Sequence, residues 1–161
     1  MISADAYAKT NPALCSLLVW NFIKEYEAES KKGVEFPLLF IVLPIVMSKK
    51  YEASFHKTNK NTGFYRWIDN NPQVVIQLNN RLTATELLTK KTLEFASSTS
   101  VIKFSEQGTI HHCVDGFRKK PKVPSSDNAT FEMLSNSKKL GAWCGQVDDT
   151  KEILKRLRLI K

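Results

Sequence analysis

FPLLFIVLPIVM, residues 36 to 47, runs twelve positions without a charge, a hydroxyl or an amide, and holds prolines at 37 and 44. Its reading decides the fold. A bilayer span needs about 20 apolar residues, and this run is shorter and ends against Lys49 and Lys50, so it is not read as a membrane segment. Pro44 would remove a ladder hydrogen bond from a central strand. Leu38, Leu39, Leu43 and Met47 favour a helix, whereas Ile41, Val42, Ile45 and Val46 favour a strand. The pattern predicts a short helix, apolar on all sides and bent or ended near Pro44. Such a helix must be enclosed, either by its own domain or by a partner. Most of it is assigned to the core, with Phe36, Pro37 and Phe40 expected to meet a partner.

Upstream, TNPALCSLLVWNFIKEYEAES predicts a helix to about Glu29, with Asn11 as cap and Pro12 at its first position. Its apolar face is wide enough to bury most of its girth. Gly33 in SKKGVE marks the turn, so residues 11–50 read as a pair of apolar helices.

Downstream, SKKYEASFHKTNKNTG is polar and reads as a connector marking a boundary. Then come GFYRWIDNN, PQVVIQLNNRL and TATELLTKKTLEFASST, three helical patterns separated by NNP and by the step from Leu82 to Thr83. VIKFSEQGTIHHCV follows as a hairpin turning at Gly108. Three helices and a hairpin predict a winged-helix-like unit at residues 62–115. FRKKPKVPSSDN is a loop, and residues 128–161 hold C-terminal helices, with Gly141 allowing close backbone approach and Asp148 or Asp149 capping the last. The expected fold class is mainly α with a small β-hairpin, in a single compact domain spanning 1–161.

The net charge is +8, and the basic excess lies in residues 51–161, concentrated in Arg118, Lys119, Lys120 and Lys122 and in the tail from Lys151. Such clusters serve nucleic acid or acidic protein surfaces, or simply keep a face solvated. Lys90, Lys91, Lys103, Arg118, Lys119, Lys120, Lys155, Arg156 and Arg158 are the candidate DNA-binding residues. The third helix of the unit also carries Glu86 and Glu94 and shows no outward Arg, Asn or Gln, which favours backbone contact or protein docking over base reading. Three cysteines without a CxxC pair indicate neither a disulfide framework nor a cysteine-rich zinc site. The N-terminus shows no basic region followed by an apolar one, so a cytoplasmic location is expected.

Catalytic constellations are wanting. There is no Gly-rich phosphate loop, G-x-S-x-G elbow or H-E-x-x-H pair. His111 and Cys113 share a strand face without an evident second ligand pair, Cys144 reads as a small buried hydrophobe, and Asp148 and Asp149 read as caps. No cofactor, metal or enzymatic activity is expected.

NPALCSLLVWNFIKEY, FPLLFIVLPIVMSKK, KLGAWCGQ and TKEILKRLRL together resemble the middle component of bacterial three-component ABC systems, and within that group the small subunit of Lamassu-type antiphage defence complexes. The likeness is densest over residues 11–50 and 138–158. It implies a non-enzymatic subunit that bridges an SMC-like or Rad50-like ABC ATPase to an effector, often a nuclease, with DNA held by the complex. It carries over no catalytic residue. Trp143, within the C-terminal stretch of the likeness, joins Phe36, Pro37 and Phe40 as a candidate interface residue. The alternative is a stand-alone winged-helix DNA-binding regulator; a hydrolase or nuclease using His111, Cys113 or Asp149 is a third reading.

Overall fold

The computed structural model describes residues 11–117 and 128–161. Helix α1 (Pro12–Ser30) is its axis. Asn11 starts it, its Oδ1 accepting from the amides of Ala13 and Leu14 at 3.1 and 3.2 Å. Lys31, at φ 63°, ends it in the left-handed region. From Leu14 to Ile23 every side chain is buried, including those of Ser16 and Asn21.

Helix α7 (Asn128–Val147) lies along α1. Ser137, Gly141 and Gly145 recur every fourth residue and meet Leu18, Phe22 and Tyr26, which recur every fourth residue on α1. The Ser137 hydroxyl donates to the Leu18 carbonyl. A Cβ on Gly141 would stand 2.3 Å from the Phe22 carbonyl oxygen, and one on Gly145 2.6 Å from that of Tyr26. The close approach expected at Gly141 is therefore present, and it extends one turn further.

The run 36–47 is helical in two parts: a 3-10 segment over Phe36–Ile41, then helix α2 (Val42–Val46). The change of pitch comes before Pro44, not at it. Pro44 occupies the first turn of α2, where its missing N–H has no partner to lose, and Met47 N–H still reaches the Leu43 carbonyl at 3.0 Å. From Leu38 to Met47 only Phe40 escapes full burial. The run packs on α1, on α7 and on the long helix α6 introduced below.

The polar connector is not a boundary. Helix α3 (Lys49–Glu52) and a 3-10 turn (Ala53–Phe55) bury Tyr51, Ser54 and Phe55. Phe55 stacks on Trp143 with centroids 5.7 Å apart and packs on Trp67 at 5.3 Å. Trp67 donates to Ser54 Oγ at 3.1 Å, and Trp143 donates to the Asn59 carbonyl at 2.9 Å. Scattered aromatics thus tie the segment to the core despite its polar composition.

Helices α4 (Phe64–Asn70), α5 (Gln73–Ile76) and α6 (Leu78–Ser98) match three predicted patterns, but the last break falls at Gln77 rather than between Leu82 and Thr83. Threonines weaken helices by offering the backbone other partners. Thr83 and Thr85 do donate back to the carbonyls of Asn79 and Arg81, each at 3.0 Å, but the helix runs on through them, with Leu78, Leu93 and Ala96 buried against the core.

Strands β2 (Ile102–Phe104) and β3 (Thr109–His112) form the expected antiparallel hairpin, with Gly108 at φ 80°. A third strand, β1 (Val34–Glu35), pairs with β3 through Val34 to Ile110 and Glu35 to Thr109, giving the order β1-β3-β2. Residues 62–115 therefore do not complete their own sheet: its third strand comes from residues 34–35. Helix α8 (Thr150–Arg156) closes the described chain, capped by Asp149 Oδ1, which accepts from Glu152 N–H at 3.1 Å, and anchored by buried Ile153 and Leu157. The result is a mainly helical domain, eight α-helices among the described residues, with a small three-stranded antiparallel sheet. No described helix is long and apolar enough to cross a membrane.

Candidate docking face and basic residues

The 3-10 segment leaves Phe36 and Pro37 outside the core and Phe40 half-buried, because successive residues of so tight a turn point in different directions. Phe36 and Phe40 meet edge-to-face with centroids 5.2 Å apart. Phe36 is 42% exposed, and Phe104, on β2, is 50% exposed. The two line one groove of about 570 Å³, with Leu93 from α6 as its apolar wall and Lys90, Glu94, Ser97 and Ser98 around it. The sheet contributes to this face because β2 is an edge strand, and edges are available for pairing or contact.

Three of the four predicted interface residues thus come together on the 3-10 segment. Trp143 does not join them. It is 0% exposed, stacked on Phe55 and bonded to Asn59, so it belongs to the core. Phe104 was not singled out from the sequence, because two exposed positions of a hairpin strand carry no periodic signal that would place one of them beside Phe36.

The described basic candidates fall on different elements: Lys90 and Lys91 on α6, Lys103 on β2, and Lys155, Arg156 and Arg158 in or just after α8. Lys90 pairs with Glu86 at 2.7 Å along the helix surface and lines the same groove as Phe36. Lys91 and Lys103 are exposed, Lys103 directly beside Phe104 on β2. Arg156 is engaged within the chain: its Nη2 donates to Asp69 Oδ1 at 2.8 Å and its guanidinium sits 5.3 Å from the Tyr65 ring centroid. Lys155 and Arg158 are exposed near it in sequence. Arg118, Lys119 and Lys120 lie outside the described residues.

His111, His112, Asp148 and Asp149 are engaged within the fold, while the Cys113 carbonyl accepts from the Trp20 indole N–H at 2.9 Å. Glu27 on α1 accepts from the His112 amide at 2.8 Å, meets His112 Nδ1 at 3.2 Å, and lies 3.5 Å from His111 Nδ1. His111 and His112 therefore tie β3 to α1. Burial pushes the Cys144 thiol far above its ordinary range, which keeps it protonated and inert. Asp149 caps α8, and Asp148 pairs with Lys32 at 2.9 Å. Among the described residues, Glu52, His56 and Glu132 have ligand atoms within 4.8 Å of one another. Glu52 and His56 lie four residues apart, but Glu132 comes from the distant α7, so no complete ligand set was legible along the chain, and surface carboxylates of this kind are common without an ion.

The family model described as ABC-three component (ABC-3C) system Middle Component 3 matches residues 1–160. No curated protein and no solved structure matches the chain.

Proposed function

Because this chain belongs to the Middle Component 3 family of ABC-three component systems, we propose that it is a non-catalytic adaptor in a bacterial antiphage defence complex. It bridges an SMC- or Rad50-like ABC ATPase to an effector such as a nuclease, in the cytoplasm and in the manner of the Lamassu small subunit. A middle component implies the other two components as partners. The observation that carries the adaptor reading is the groove shared by Phe36, Leu93 and Phe104. Two aromatic rings left 42% and 50% exposed on one face provide the apolar anchor pocket that protein interfaces concentrate their energy in. Lys91 and Lys103, exposed and next in sequence to the groove residues Lys90 and Phe104, are assigned to backbone contact with DNA held by the complex.

Co-expression with the adjacent genes, followed by size-exclusion chromatography with light scattering, tests the reading. The chain is expected to elute within a complex of at least three different subunits. Elution of the chain as a free monomer from that mixture would overturn it.

A further inference from the structure

Helix α6 carries a second groove. It lies between the chain leading into α3 and the N-terminal half of α6, and holds about 330 Å³. Its floor is apolar: Leu43, Pro44 and Met47 from one side, Ala84 and Leu88 from the other. Its rim is cationic, formed by Lys49, Lys50 and Arg81, and none of its lining residues is acidic.

Two polar atoms in this groove are buried without a hydrogen-bond partner. One is Oγ of Ser48, a residue only 9% exposed, and the other is Nε of Arg81. The Arg81 guanidinium is held 5.1 Å from the Tyr51 ring centroid, which fixes its position before any ligand arrives. Buried polar atoms are nearly always satisfied, and an unsatisfied one costs roughly 1–3 kcal/mol. An unpartnered Ser48 hydroxyl and Arg81 Nε, in a groove that Lys49 and Lys50 also line, suit an anionic ligand that brings acceptors with it.

We propose that this groove binds an acidic, amphipathic segment of a protein partner, one apolar side chain on the Leu43–Leu88 floor and carboxylates against Lys49, Lys50 and Arg81. A phosphodiester backbone matches the rim but offers nothing to the floor; a segment with an apolar residue between Asp or Glu residues matches both. The two grooves lie on opposite flanks of α6. At 100° per residue, residues 81, 85 and 88 face one way and residues 90, 94 and 97 the other. One helix thereby presents an aromatic site and a basic site to two different partners. This inference rests on the adaptor reading and deepens it.

The test uses the co-expressed complex with p-benzoylphenylalanine in place of exposed Ala84. Irradiation is expected to crosslink one partner within a segment holding at least two Asp or Glu residues around an apolar one. Lys49→Glu combined with Lys50→Glu, both exposed and off the core, is expected to lower the yield tenfold or more. Ser48→Ala is expected to lower it while leaving the free chain folded. A crosslink to DNA, a crosslink to a segment without acidic residues, or an unchanged yield in the charge-reversed variant would each overturn the groove assignment alone. Failure of the wild-type chain to co-elute with any component would overturn the adaptor reading and this inference together.

Discussion

Gly141 of α7 lies directly against the Phe22 carbonyl of α1, so close that a Cβ there would stand 2.3 Å from that oxygen. With Gly145 against Tyr26 and Ser137 bonded to Leu18, it puts two helix backbones in contact over two turns. Gly141→Ala gains about 1 kcal/mol of helix propensity but forces the helices apart, an overpacking cost of about 1–3 kcal/mol or more. A net loss is expected, read as a lower urea midpoint. A midpoint at or above that of the wild type would show that the helices do not need this contact.

Phe36 and Phe104 are expected to contribute little to the fold and much to association. Phe36→Ser and Phe104→Ser are each expected to change stability by less than about 1 kcal/mol, as is usual for exposed positions. In the co-expressed complex the pair should reduce recovery of one partner tenfold or more. Full recovery with both changes would remove this face from the interface.

Trp143 behaves in the opposite way. Trp143→Ala empties the cluster formed with Phe55 and Trp67 and leaves the Asn59 carbonyl without its donor. Its cost is expected at about 3–5 kcal/mol, seen in the isolated chain as a large drop in melting temperature or loss of folding. Near-normal stability with lost association would return Trp143 to the interface.

Alkaline pH should destabilise the protein through its buried acids. The unfolded chain ionises its thiols from about pH 8.5, whereas burial pushes Cys144 and Cys15 upward in the folded state. The folded state then holds protons that the unfolded state releases, so stability is fully present below about pH 8.5 and falls as pH rises, by up to about 1.4 kcal/mol per pH unit for each thiol. Tyr26, raised by burial and by the Asp148 charge, adds the same sign from about pH 10. Melting temperatures should fall between pH 8 and pH 10, and fall less steeply for Cys144→Ala. Parallel slopes would locate the alkaline loss elsewhere.

DNA contact by the complex, where it passes through Lys91 and Lys103, should carry a salt signature. Each lost phosphate contact reduces the slope of log K against log salt by about 0.9. The Lys91→Glu, Lys103→Glu complex is expected to bind duplex DNA more weakly, with a slope shallower by about 2. An unchanged slope would exclude both residues from the DNA path.

The amino-acid sequence alone determined what depends on neighbours along the chain. Asn11 and Pro12 start α1, Asp148 or Asp149 starts α8, Gly108 turns the hairpin, and most of an uncharged run of twelve residues is enclosed. Gly141 was legible too, since a glycine inside a helical apolar face implies close approach. Tertiary structure decided what depends on residues far apart. Val34 and Glu35 complete the sheet only because α1 returns them beside Ile110 and Thr109. The polar connector joins the core only because Phe55 meets Trp67 and Trp143, and that same meeting takes Trp143 away from the surface. Both grooves along α6 are of this second kind. Caps and turns are settled by bonds within four residues, whereas a surface exists only once distant segments have chosen what to cover.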